Sequence, residues 1–265
     1  YCVFIDFQWT GSENGTREHP YNNLSDASTI EGYGYFMKRG SYIENEYTLL
    51  QGIVASKKNP VIFAAYGIGS KPEFIGNTKN IGFMLGDWVD SSANKCFWID
   101  FHSIYFRDYH GAAIYVKRPS DHIGFYNCTF TNNNKSILQQ STLVILNEFP
   151  SHGSTVDSSK NYDFNIWNCS FDTTSNDDLP NAEKSYIKCG AGPVNIFSCY
   201  FGPIDDVDHH EGQGVRLTSG HSGHVKHCLF ELGVTSTRAE VCNIQLRQDN
   251  ALIEDCIMTG SGSGI

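Results

Sequence analysis

The chain has 265 residues, with 29 Asp and Glu against 19 Lys and Arg, and a formal net charge of −10. That balance argues against nucleic acid as the main partner, because such an interface is built on Lys and Arg; a polyanion would need a locally basic or metal-assisted site. No run of about 20 apolar residues occurs, so no segment reads as a membrane span. The length admits one or two domains.

In chain order, the clearest pattern opens with a degenerate copy, Phe101-His102-Ser103-Ile104-Tyr105-Phe106. It recurs as Phe125-Tyr126-Asn127-Cys128-Thr129-Phe130, Ile166-Trp167-Asn168-Cys169-Ser170-Phe171 and Ile196-Phe197-Ser198-Cys199-Tyr200-Phe201. Val225-Lys226-His227-Cys228-Leu229-Phe230 and Ile253-Glu254-Asp255-Cys256-Ile257-Met258 complete the series. The steps between copies at the Cys column are 24, 41, 30, 29 and 28 residues, which marks a stacked repeat and one solenoid rather than two domains.

Each copy carries one physical instruction. Strand side chains alternate with period two, yet the first apolar column lies three residues before Cys, so the parity breaks once. The break falls at Ser103, Asn127, Asn168, Ser198, His227 and Asp255. Asn, Asp and Ser tolerate left-handed geometry, so each copy reads as strand, one-residue bend, strand, with both apolar columns inward. A further strand precedes each later copy: Ile114-Tyr115-Val116, Val144-Ile145-Leu146, Ile187-Lys188-Cys189, Val215-Arg216-Leu217 and Ile244-Gln245-Leu246.

Three short strands per turn with an asparagine bend resemble the right-handed β-helices of the pectate-lyase-like superfamily. The resemblance implies an all-β fold, a right-handed single-stranded parallel β-helix with an N-terminal cap. Residues 1–30, with Gly11-Ser12-Glu13-Asn14-Gly15-Thr16 and Leu24-Ser25-Asp26-Ala27, are similar to the strand and capping helix that open such proteins. Residues 31–265 would form the coils, with a further coil expected after the Gly/Ser-rich end. Polar insertions at 131–142, 149–162, 172–183 and 202–212 would build a binding face.

Of nine cysteines, Cys128, Cys169, Cys189, Cys199, Cys228 and Cys256 fall on inward columns. They read as small buried thiols; no CxxC spacing suggests zinc.

The outward positions of the added strand form a column of Tyr115, Ile145, Lys188, Arg216 and Gln245, with Arg247 one outward step further. Two cations on neighbouring coils disfavour each other's charge, and Lys yields first, since Arg effectively never deprotonates. Lys188 is therefore a candidate base. Glu183 lies five residues before it, and the next loop carries Asp205, Asp206, Asp208, His209, His210 and Glu211, a set of oxygen donors suited to Ca²⁺. The same residues also read as an acidic solvated loop.

Glu183, Lys188 and Arg216 resemble the arrangement of the chondroitinase B and alginate lyase family. That resemblance implies Lys188 as base, Arg216 on the following coil as its partner, and Ca²⁺ near Glu183. Tyr115, Tyr186, Gln245 and Arg247 would contact substrate, and Glu183, Asp205, Asp206, Asp208 and Glu211 would hold the metal. The partner would be an acidic polysaccharide, cleaved by β-elimination outside the cell. Two alternatives stay open. One is a glycoside hydrolase with a carboxyl pair drawn from Asp205, Asp206, Asp208 and Glu211. The other is a surface filament or spike protein, in which Tyr126, Trp167 and Phe197 pack against a second subunit.

Overall fold

A computed structural model describes residues 1–27, 31–79, 81–86, 96–117, 120–133, 141–146, 163–173, 184–189, 193–203, 212–217, 223–231, 242–246 and 251–259. Their strands fall into three sheets. Sheet I stacks Cys2–Ile5, Gly34–Lys38, Val61–Tyr66, Cys96–His102, Asp121–Tyr126, Phe164–Trp167, Val194–Phe197, Gly223–Lys226 and Leu252–Glu254, with Ile53–Val54 beside Cys96–His102. Sheet II stacks Tyr42–Glu44, Glu73–Ile75, Tyr105–Arg107, Thr129–Thr131, Ser170–Asp172, Tyr200–Phe201, Leu229–Glu231 and Ile257–Thr259. Sheet III stacks Thr48–Leu50, Phe83–Leu85, Ile114–Lys117, Ser141–Leu146, Lys184–Cys189, Gly212–Leu217 and Cys242–Leu246.

From Asp121 onward the chain visits sheets I, II and III in turn, and neighbouring strands pair in parallel. Parallel neighbours need a full crossover between them, here one turn of the coil. The molecule is a parallel β-helix.

The bend between sheets I and II lies where the parity break puts it. Ser103, Asn127, Asn168, Ser198, His227 and Asp255 have φ of 58°, 55°, 51°, 53°, 54° and 51°. The backbone ladder continues through the bend. Asn127 N–H donates to Trp167 O at 2.9 Å, Asn168 to Phe197 O at 3.0 Å and Ser198 to Lys226 O at 3.0 Å. Two residues on, Ser170 N–H donates back to Cys128 O at 3.0 Å and Tyr200 to Cys169 O at 2.9 Å. A second left-handed series, Asn45, Asn77, Asp108 and Asn132, follows sheet II strands; no repeat in the sequence had flagged it.

In-register stacking makes the core a set of like-on-like columns. Phe106, Phe130, Phe171, Phe201 and Phe230 stack face to face with ring centroids 5.3, 4.9, 5.0 and 4.5 Å apart, all buried. Tyr35, Phe63, Phe101 and Phe125 form a second stack at 5.0, 5.1 and 5.3 Å. The thiols of Cys128, Cys169, Cys199 and Cys228 are buried and unoxidised between them. Cys169 Sγ donates to Trp167 O at 3.3 Å and Phe125 O at 3.5 Å, and Cys199 Sγ repeats this one coil on. Burial pushes the Cys169 and Cys199 thiols well above their ordinary range, which fits inert packing groups.

At the N-terminus, Cys2–Ile5 is the outermost strand of sheet I, and the described part of residues 1–30 holds a single 3-10 turn, Leu24–Asp26, capped by Asn23. In sheet III, Val144 rather than Ile145 stands in register with Tyr115 and Lys188, while Ile145 aligns with Val116 and Cys189. Leu143-Val144-Ile145-Leu146 is an unbroken apolar run, in which period-two parity has no polar residue to mark it.

Replacing Phe171 with Ala removes a ring from the middle of the stack and should cost about 3–5 kcal/mol in equilibrium urea unfolding. Asn168→Val forces a β-branched residue into the left-handed bend and should cost about 1–2 kcal/mol, whereas Asn168→Gly should stay close to wild type.

Candidate functional site

From Asp121 onward the longest connections of the chain adjoin sheet III strands. From sheet I to sheet II the chain needs only the bend, as between Trp167 and Ser170. Residues 132–140, 173–183 and 202–211 lead into sheet III strands, and residues 147–163 and 218–222 lead out of them.

On the outer face of sheet III Lys188 pairs in register with Arg216, and Arg216 with Gln245. The local cause is alternation. Ile187 and Cys189 are buried on either side of Lys188, and Val215 and Leu217 on either side of Arg216, so the cationic side chains leave the core. The two cations sit one layer apart, about 4.8 Å in backbone spacing. Lys188 is half-buried, and Arg216 is 7% exposed. Gln245 is also half-buried, and its side-chain oxygen is buried and accepts no hydrogen bond among the described residues.

The remaining sequence candidates separate. Tyr115 stands two layers before Lys188 on the same column, with Val144 between. It is 4% exposed beside Ala112 and Ile81, and burial pushes its hydroxyl up to about 12. Tyr186 does not face a substrate. Its side chain is 2% exposed and packs against Phe171 and Phe201, with ring centroids 5.9 and 6.2 Å apart. Its hydroxyl donates to Pro203 O at 2.6 Å and lies 3.2 Å from Gly202 O. The tyrosine thus ties a sheet III strand to the segment leaving sheet II, a role its outward parity in the sequence concealed. Arg247, Glu183, Asp205, Asp206, Asp208 and Glu211 lie outside the described residues. Among the described residues no three His, Cys, Asp or Glu side chains come together as a metal-binding group.

A second polar group, on the outer face of sheet I, went unnoticed in the sequence. Asp100, Gly124, Asn165 and Asn195 stand in register on successive coils. Asp163 Oδ1 accepts from Asn165 Nδ2 at 3.1 Å and from Asn195 Nδ2 at 3.2 Å, and Asn195 Nδ2 also donates to Asn165 Oδ1 at 3.1 Å. Asp121 Oδ1 accepts from the backbone N–H of His122 at 2.7 Å and of Asp163 at 2.8 Å. Burial pushes the Asp100 carboxyl up to about 6. The strands enter this face through left-handed residues at Trp98 and His122, whose rings stack at 3.8 Å. A Trp at φ 58° is a conformational outlier.

No protein-family model and no curated protein matches the chain. Solved structures do. The chain is similar over 97% of its length to the GH136 lacto-N-biosidase from Eubacterium ramulus, at TM-score 0.56 and 12% identity, and spans 55% of that protein's chain. It is similar over 96% of its length to a rhamnogalacturonan lyase, at TM-score 0.53 and 12% identity, covering 72% of that chain. Pectate lyase Pel9A matches over the whole chain at TM-score 0.50 and 14% identity, with 78% of the enzyme covered. The shared feature is the parallel β-helix expected from the bends.

Asp100 binds its proton more tightly in the folded chain than in the unfolded one, where a carboxyl titrates near 3.9. Its contribution to stability is therefore present below about pH 4 and declines as pH rises through about 6. Asp100→Asn should gain melting temperature relative to wild type as the buffer is raised from pH 4 to pH 7, with the gap opening inside that window. Thermal melts across the series check this.

Proposed function

We propose that the chain is a carbohydrate-active β-helix protein that cleaves a uronate-containing polysaccharide by β-elimination on the outer face of sheet III. The observation that carries the reading is the register pair of Lys188 and Arg216 on adjacent coils, on the sheet bordered by the longest connections. Two of the fold neighbours are, by name, a rhamnogalacturonan lyase and a pectate lyase. The site of action would be extracellular, where such polymers occur.

In this reading the guanidinium of Arg216 meets the uronate carboxylate and stabilises the charge that develops on it as the neighbouring carbon loses its proton. Lys188 removes that C5 proton as general base. The C5–H electron pair forms the C4=C5 double bond, the C4–O glycosidic bond breaks, and the leaving oxygen takes a proton. The side-chain oxygen of Gln245, which accepts no hydrogen bond among the described residues, would accept from a sugar hydroxyl one layer on. Tyr115 lies two layers before Lys188 on the same column, and Arg247 follows Gln245 by two residues in the sequence. Glu183, Asp205, Asp206, Asp208 and Glu211 supply hard oxygen donors in the segments leading to Lys188 and Arg216, and would hold Ca²⁺. When bound, the ion would add positive charge against the uronate carboxylate.

The hydrolase alternative draws support from the lacto-N-biosidase fold neighbour. It would use a carboxyl pair from residues 205–211 and leave a saturated product.

Incubation with pectate, alginate, chondroitin and rhamnogalacturonan, with Ca²⁺ or chelator, should raise the ultraviolet absorbance of an unsaturated uronate on one polymer. Lys188→Ala should lower that rate by about 10²–10⁴-fold and Arg216→Ala by about 10²–10³-fold, with unchanged circular dichroism. Full activity in both variants would overturn the assignment. Reducing ends released without absorbance would favour hydrolysis.

A further inference from the structure

We infer that the outer face of sheet I is a separate, non-catalytic binding surface for a neutral polysaccharide lying across the coils. Two parallel rows build it. The aromatic row is His102, Tyr126, Trp167 and Phe197, in register on successive coils. His102 and Tyr126 stack with centroids 4.7 Å apart and 12° between planes, and Trp167 and Phe197 lie 4.8 Å apart, tilted by 49°. Trp167 is 47% exposed. The polar row beside it is Asp100, Gly124, Asn165 and Asn195, two residues earlier on the same strands.

Gly124 makes the two rows continuous. A Cβ there would lie 2.4 Å from Asp100 Oδ1 and 2.4 Å from the Tyr126 ring, so the carboxyl and the ring both lean over bare backbone. Further along, the bonds among Asp163, Asn165 and Asn195 hold the amides in place before any ligand arrives. That network leaves Asn195 Oδ1 as an acceptor and a second N–H of Asn165 as a donor. The Asp100 carboxyl accepts no hydrogen bond from a described side chain, so it remains for a ligand hydroxyl.

The pairing of flat apolar rings with fixed amide and carboxyl groups is the chemistry a pyranose needs. Its C–H face covers a ring while its hydroxyls reach the polar row. Charge selects among occupants. Asp100 and Asp163 give this face its carboxylates; Asp121 is paired with His122 Nδ1 at 3.1 Å, and His224 and Lys226, which continue the two rows, are matched by Glu254 at 3.0 and 3.2 Å. A uronate would meet like charge. A second copy packing through the same face would set carboxylates against carboxylates. A neutral saccharide meets neither penalty. The surface lies on a different side of the coil from Lys188 and does not depend on the elimination reading.

Affinity gel electrophoresis of the full chain tests this, with xyloglucan, galactomannan and mixed-linkage β-glucan as neutral polymers and polygalacturonate as the charged control. At least one neutral polymer should retard the protein. Trp167→Ala and Asn195→Ala should each weaken that retardation by about tenfold, the loss of one anchoring contact of about 1.4 kcal/mol, while Lys188→Ala should leave it unchanged. The melting temperature of each variant reports its fold. No retardation by any neutral polymer, or undiminished retardation in both sheet I variants, would overturn the inference. So would polygalacturonate binding that Trp167→Ala abolishes. Sedimentation showing a dimer that Trp167→Ala dissociates would assign the face to a second copy instead.

Discussion

In-register parallel stacking governs this molecule. Every residue of a strand lies about 4.8 Å above its counterpart in the preceding coil, so a column of the same position in successive turns is a physical contact. Inside, like on like is favourable. Phe106 through Phe230 stack ring on ring, and the thiols of Cys128 through Cys228 pass hydrogen bonds to carbonyls of their own and the previous coil. Outside, the same rule concentrates chemistry. Two cations in one column must share a layer spacing, as Lys188 and Arg216 do. Amides in one column link into a fixed row, as Asn165 and Asn195 do.

The bends let this stacking persist through a corner. A left-handed residue turns the chain from sheet I to sheet II in one step, and its N–H stays within reach of the next coil. The corner is thus as regular as the strands it joins. The corners around sheet III are made by long segments instead, and there the coils differ in length: the step from Cys128 to Cys169 is 41 residues and that from Cys228 to Cys256 is 28. A single fold thus holds a regular corner and a variable one.

The two outer faces then divide by charge. The sheet III column is cationic in a chain of net charge −10, which suits an anionic polymer. The sheet I face carries carboxylates beside exposed rings, which suits an uncharged one. A solenoid offers both at once because each sheet presents its own outward columns along the whole length of the coil.

The sequence alone determined the coil. A parity break occupied by Asn, Ser, His or Asp, followed by Cys and Phe, is legible because each residue there has one physical reason to be present. The buried thiols and the alignment of Lys188 with Arg216 and Gln245 followed from the same spacing. Only the tertiary structure decided which surface each remaining residue joins. Val144 replaced Ile145 in the outward column because an apolar run carries no parity mark. Tyr186, outward by alternation, reaches back into the core because backbone carbonyls at Gly202 and Pro203 take its hydroxyl. The row of Asp100, Gly124, Asn165 and Asn195 lies three residues before the bend in each copy, but only Asn165 and Asn195 share a residue type, so the repeat aligned the four without marking them as a polar group. Stacking brings those four residues onto neighbouring layers, and the hydrogen bonds of Asn165 and Asn195 to each other and to Asp163 arise only there.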